Sequence, residues 1–391
     1  MMASGLCELE LKMKKKTYIP ALFLLMGTAI SSPVLAADHL PPVMPVVENP
    51  GLIDAAQGNH IWNGVAVTHN GRIFVSLTQT EGAGLQLAEV KNNELIALPD
   101  KEWNTWKKDT DPSKHFLHVN AVRIGPDGNI WAVDAGNTGI GTGAVSVPGA
   151  AKLVKIDIHT GKVLRVYQFP SDVQKPSSYV DDVRFNGKVA YLSDPGAVGL
   201  IVLDLNTGQS HRVLENIPLA IDHAPIYADG KKLILPNGEE KRVGIDQMEV
   251  SPDGKYLYFQ AIPGPLARIE TKYLNDSSLD AKTVNSHAVL WHETWSTAGT
   301  AIDSDGNIYL SEINDRTIKK ISPDKKVSVV IADPRLVWVD AMWIQDGYLW
   351  MPTGQINRTP ATTGGKPSTV EYPVHLYKLK IDKNSPVIDH R

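Results

Sequence analysis

The run Asn120-Ala-Val-Arg-Ile-Gly-Pro-Asp-Gly-Asn-Ile-Trp-Ala-Val-Asp134 decides the fold. A polar lead residue opens a short apolar alternation, an Asp-Gly turn follows, and a second alternation returns. Asp-Gly and Asn-Gly supply the positive φ angles that a tight hairpin needs. The same pattern starts at Asn63, Asp181, Asp246, Ala298 and Asp340. The leads recur at intervals of roughly 40 to 65 residues, the range of repeat architectures. Two further strands follow most hairpins, as at 152–158 and 162–169, at 199–205 and 210–214, and at 317–321 and 326–331. Four antiparallel strands per unit is the content of a propeller blade. The reading is an all-β, six-bladed β-propeller occupying 37–391 as one domain. The sixth unit has one clear later strand, 375–381, so its outer strand is expected from residues 38–62, clasping the chain ends together.

Composition agrees. Gly (31) and Pro (26) are plentiful, which suits short strands and turns over long helices. The formal charge of −4 offers nothing to neutralise a phosphate backbone, so nucleic acid is not an expected partner. The start of the chain reads as a leader. Lys14, Lys15 and Lys16 precede the apolar run 18–30, and Val34-Leu35-Ala36 forms a small-residue cleavage site. That makes residues 1–36 a signal peptide, with Met13 as the natural start, and the protein secreted or periplasmic. No later run is long enough for a membrane span. Cys7, the single cysteine, falls in the leader, leaving no thiol chemistry and no disulfide in the mature chain.

The first strand of a propeller blade lines the central channel, and its lead residue sits at the mouth. The six leads place three carboxylates and two amides around one axis. Carboxylates that close raise one another's pKa unless a proton or a cation is shared. An all-oxygen set suits a hard divalent cation, Ca²⁺ above all, on Asn120, Asp181, Asp246 and Asp340. No lead is a histidine, which argues against zinc. Asp or Asn at a strand start also caps turns, and only the shared register lifts these residues above that role. Asp246, Asp340 and His118, which precedes Asn120 by two, are the candidate proton-moving residues. Asn63, Asn120, Asp182, Trp295 and Trp338 are the candidate substrate contacts, the tryptophans for stacking. Asp134, Asp194, Glu312 and Thr353 end the second strands and read as loop-turn residues, and His223 as a surface histidine of a long insertion. G-x-S-x-G, H-E-x-x-H and P-loop motifs are absent. Gly139-Ile-Gly-Thr-Gly143 opens no helix and reads as a loop over the channel.

Several stretches resemble the major royal jelly protein and yellow family. They are 130–136 with 152–157 and 166–170, then 179–183 with 190–194 and 199–204, then 251–259 and 333–340. The resemblance implies a secreted six-bladed propeller of bacterial type, since insect members carry disulfides, one of them where this chain runs Ser146-Val-Pro-Gly149. It spans dopachrome-converting enzymes, amine-binding proteins and storage proteins. A more distant resemblance is to the gluconolactonase and senescence marker protein group, which holds a divalent cation at the mouth. It puts Asn63 in the place of a metal Glu, Asn120 of a substrate Asn and Asp181 of a metal Asn. Ala298 stands where a catalytic Asp is expected, so Asp246 or Asp340 must substitute. Two functions are thus expected. One is metal-assisted lactone hydrolysis or dopachrome-type isomerisation of a small cyclic substrate. The other is non-enzymatic binding of a small aromatic or amine ligand. A rim used as an interaction scaffold is a third.

The leader yields the first prediction. Intact mass of the exported protein should correspond to a chain starting at Ala37, and retention of 1–36 would refute the leader.

Overall fold

The computed structural model describes residues 47–78, 84–108, 110–139 and 144–390. The leader assigned to 1–36 lies outside them. Six four-stranded antiparallel sheets, with strand order following the chain, form the six blades. Blade 2, which contains the quoted hairpin, runs Val119–Ile124, Ile130–Asp134, Lys152–Ile156 and Val163–Gln168. Blade 6 is the exception in strand order. Its strands Trp343–Gln345, Tyr348–Pro352 and Val374–Lys380 are completed by Ile53–Gly58 from the start of the described chain. That outer strand pairs antiparallel with Val374–Lys380, from Ile53 opposite Lys378 to Gly58 opposite Val374. The expected clasp therefore exists, and it leaves the first and last blades no open edge between them.

Apolar layers fill the spaces between blades. Val122, Ile130 and Val154 pack with Trp62, Val65 and Phe74 between blades 1 and 2. Ala121, Val133 and Leu153 pack with Val183, Ala190 and Ile201 between blades 2 and 3. Alternation places each strand's apolar residues in these two layers, which is why the innermost strands are buried along their length. Helix is confined to short pieces, such as Thr271–Asn275 and Ala281–Ser286 before the outer strand of blade 4.

The innermost strands share a local irregularity. The register slips between Trp62 and Val65, Val119 and Ala121, Ile245 and Gln247, and Thr297 and Thr300. Each slip contains a lead residue. In blade 3 both Asp181 and Asp182 bond the backbone of Ser193, again two residues against one. A β-bulge turns a side chain out of the pleat, so the lead residues aim into the channel rather than into a packing layer. Serines of the second strands hold several bulges. Gly64 N donates to Ser76 Oγ (2.9 Å), which donates to Asn120 O of the next blade (2.7 Å). Gly299 N donates to Ser311 Oγ (3.0 Å), which donates to Val339 O (2.5 Å).

At Gly299 two backbone segments touch. An added Cβ would sit 2.1 Å from Asp340 O. Gly299→Ala should destabilise the protein by about 2 kcal/mol or more in denaturant unfolding, because neither backbone can yield without opening a bulge. Gly84→Ala, whose Cβ would meet no described residue within 4 Å, should stay within about 0.5 kcal/mol.

Candidate functional site

The lead residues converge at one end of the channel. Asn63, Asn120, Asp181, Asp246, Ala298 and Asp340 all line a cavity of about 170 Å³. The same six also line a chamber of about 20 Å³, which Asp182 and Gln247 share. That volume is about one water molecule or one metal ion. The repeat register therefore located the mouth, including the apolar gap at Ala298.

Two insertions contribute to the cavity wall. Residues 215–244, between blades 3 and 4, bring Lys241 and Val243. Residues 353–373, within blade 6, bring Ile356 and Ala361. The insertions bridge each other through Ile234 and Thr363, and Asn357 Nδ2 donates to Asp229 (2.9 Å). Val243, Ile262, Ala298 and Trp338 pack in one apolar cluster beside the cavity.

One wall is a polar chain. Asn63 Nδ2 donates to Asn120 O (3.1 Å), Asn120 Nδ2 donates to Asp181 Oδ1, and Tyr179 OH donates to Asn120 Oδ1 (2.9 Å). Tyr179 stands edge-on to His118, with ring centroids 5.5 Å apart. His118 lines the cavity as expected. Burial pushes its imidazole down, while Asp134 and the Asn137 backbone pull it back up. On the other wall Trp338 Nε1 donates to Asp340 Oδ2 (3.0 Å), and Ala341 N donates to Asp340 Oδ1 (2.9 Å). Trp338 has φ of 53°, the left-handed region that few non-glycine residues occupy. Such strain persists where surrounding packing fixes the residue, often beside a functional site.

The carboxylates are buried together. Burial pushes Asp340 up to about 8, and the charge of Asp246 adds to this. Burial pushes Asp246 up to about 6, while a hydrogen bond from Asp181 and the Lys241 charge hold it lower. Asp181 is raised well above the carboxylate range by burial and by Asp246. Near neutral pH the cluster holds protons, so it can both donate and accept them.

Two expected residues go elsewhere. Asp182, one residue from Asp181, lines the lower chamber but not the ligand-sized cavity. Its carboxylate accepts from Arg184 Nη1 (2.6 Å), which holds it away from the larger cavity. Trp295 does not line the cavity, and Lys319 Nζ lies 4.0 Å over its ring. The residue precedes its lead by three and falls outside the bulge. His223, read as a surface histidine, is exposed and bonds Pro218 O in its own insertion. The second-strand ends have turn and ion-pair roles. Asp134 binds Lys152 (2.5 Å) and the Leu117 and His118 amides, Asp194 binds Arg212 (2.8 Å), and Glu312 binds Lys319.

Sequence reasoning passed over Tyr179, Lys241 and Gln247. Tyr179 carried a signal, since it precedes its lead by two, as His118 and Trp338 do. Gln247 Nε2 donates to Asp246 Oδ2 (2.5 Å) and Thr297 O (2.7 Å), leaving its buried Oε1 without a partner. An unpartnered oxygen beside carboxylates fits a cation or its water. As the side chains stand, no three carboxylate or imidazole groups among the described residues close on one point in metal-binding geometry. Asn120, Gln247, Trp338 and Ala341 already engage the carboxylates, so the donor chemistry fits a hard cation only if they turn inward.

A family model described as major royal jelly protein matches residues 118–385, from His118 through the closing strand of blade 6. The chain belongs to that family. No curated protein matches this major royal jelly protein family member at the sequence level. Among solved structures, it is similar to a gluconolactonase-like propeller with 12% identity over 86% of this chain and 94% of that one, at a TM-score of 0.48. It is also similar to virginiamycin B lyase from Staphylococcus aureus, with 10% identity over 82% of this chain and 95% of that one, at 0.47.

The raised carboxyls set a pH dependence for this family member. Their folded pKa values exceed the unfolded ones, so their contribution is present in acid and lost as pH rises through about 6 and about 8. With chelator present, thermal stability should fall between about pH 4 and about pH 8. Asp340→Asn, which cannot ionise, should flatten the upper part of that fall. An unchanged profile would show that Asp340 is not strained by its charge.

Proposed function

We propose that the cavity binds a small cyclic carbonyl compound and moves protons on it, as a lactone hydrolase or a dopachrome-type isomerase would. The observation that carries this is the buried carboxyl cluster, with Asp246 near 6 and Asp340 near 8. An acid and a base straddling neutrality are what general acid–base chemistry requires. Asp340, held through both oxygens by Trp338 and Ala341, supplies the proton. Asp246 accepts one, with Asn120 and Tyr179 orienting the ligand and His118 as a neutral second acceptor. Trp338 covers one face of a ring. Asn120, Asp181, Asp246 and Asp340, with the free oxygen of Gln247, would hold a divalent cation, Ca²⁺ by donor type. Bound there, such an ion would polarise the substrate carbonyl. The Lys-rich start and apolar run of the leader support an exported protein. The same carboxylates would accept an organic ammonium, and Trp338 would stack on its ring, which favours the binding-protein reading as the second choice.

Metal analysis of purified protein, followed by turnover of lactones and catechol-derived substrates with and without chelator, tests these readings. Asp246→Asn and Asp340→Asn should each lower turnover at least about 100-fold, with the fold retained. Binding of an aromatic amine without any turnover would instead support the second reading.

A further inference from the structure

Cations that reach the inner ends of the blades are paired. Lys152 meets Asp134, Arg212 meets Asp194, Lys319 meets Glu312, and Arg184 meets Asp182 and Glu249. Lys241 is different. It lines the ligand cavity with Asp181, Asp246 and Asp340, and it is the one cationic side chain among the described lining residues. No carboxylate of a described residue lies within ion-pair distance of its ammonium. Its strongest charge interactions are nevertheless with Asp246 and Asp181. The cavity thus has a lysine and a carboxylate cluster together among its lining residues.

The backbone at Lys241 is anchored. Lys241 N donates to Leu233 O (3.0 Å), Glu240 pairs with Lys232 (2.5 Å) and Arg242 (2.7 Å), and buried Val243 packs against the Trp338 cluster. Beyond that anchor the lysine stem has four rotatable bonds, long enough to approach the ring or withdraw from it.

We infer that Lys241 is the built-in counter-cation of the lead-residue carboxylates and competes with any divalent ion for them. The inference rests on the cation reading given above. A like charge facing the same ring opposes the incoming ion, and the opposition disappears when the ammonium is removed. The insertion that carries Lys241 therefore sets the affinity of the site for its ion. With an ion on the carboxylates, the ammonium is left to an anionic oxygen of the ligand.

Calorimetric titration of Ca²⁺ alone into the purified full chain tests this. Lys241→Met should bind Ca²⁺ at least about tenfold more tightly than the unaltered protein, as expected from losing one like charge in a half-buried site. Lys241→Arg, which keeps the charge, should bind like the unaltered protein. Equal or weaker binding by Lys241→Met overturns the inference. If neither protein binds Ca²⁺, the cation reading fails, and thermal unfolding decides the counter-cation role separately. In that case Lys241→Met should lower the melting temperature in the unaltered background and do so less beside Asp246→Asn. Equal losses in the two backgrounds overturn it.

Discussion

The bulge at the head of four of the innermost strands is the constraint on which the site depends. A regular strand would send alternate side chains into the two packing layers and leave no row for the channel. The extra residue at Asn63, Asn120, Asp246 and Ala298 breaks that alternation where the chain reaches the axis. It also strands a backbone N–H, and an unsatisfied buried N–H costs about 1–3 kcal/mol. Ser76 and Ser311 remove that cost and pass a hydrogen bond to the backbone of the next blade. Ser193 does part of the same work in blade 3, accepting from Asp182 N (3.2 Å). Position in one blade is thereby tied to position in the next.

The electrostatics follow from that geometry. Three carboxyls placed at one height around an axis, out of water, cannot all ionise cheaply, since each pair costs a few kcal/mol at an effective dielectric near 20. Their neighbours show how the molecule manages charge elsewhere. Asp182 and Glu249 both grip Arg184, and Thr300 Oγ1 donates to Glu249 (2.8 Å). Further along the innermost strands Arg123 meets Asp389, and His390 stacks on Trp343 at 3.7 Å, where the C-terminal segment packs on the blades. These charges have matched partners. The lead carboxyls have proton-sharing, hydrogen bonds and one lysine among the same lining residues. Such imbalance concentrated in a cleft is characteristic of sites that bind or react.

Family membership fixes the architecture and leaves the chemistry to these residues. The family match begins at His118, so Asn63 and the first blade lie outside it. The geometry nevertheless treats Asn63 as an equal member, through its bond to Asn120 and its place in both chambers. Ala298 carries no carboxylate between Asp246 and Asp340 in blade order, and it packs with Trp338, which donates to Asp340.

What the sequence by itself determined was everything carried by local periodicity. Hairpin turns and apolar alternation repeat within a dozen residues, so the blade count, the six leads and the closing outer strand were all legible. His118 was legible because it keeps a fixed offset from its lead, and Tyr179 carried the same unused signal. The tertiary structure decided what depends on residues distant in the chain. Asp181 and Asp182 are chemically alike and adjacent, and only the bulge and the reach of Arg184 separate them into a cavity residue and a structural one. Trp295 looked as well placed as Trp338, but one packs beneath Lys319 and the other is held against Asp340 by a left-handed backbone. Lys241 sits in an insertion without repeat register, and nothing local marks it. It enters the site because that insertion packs against the one in blade 6, a contact between chain segments more than a hundred residues apart.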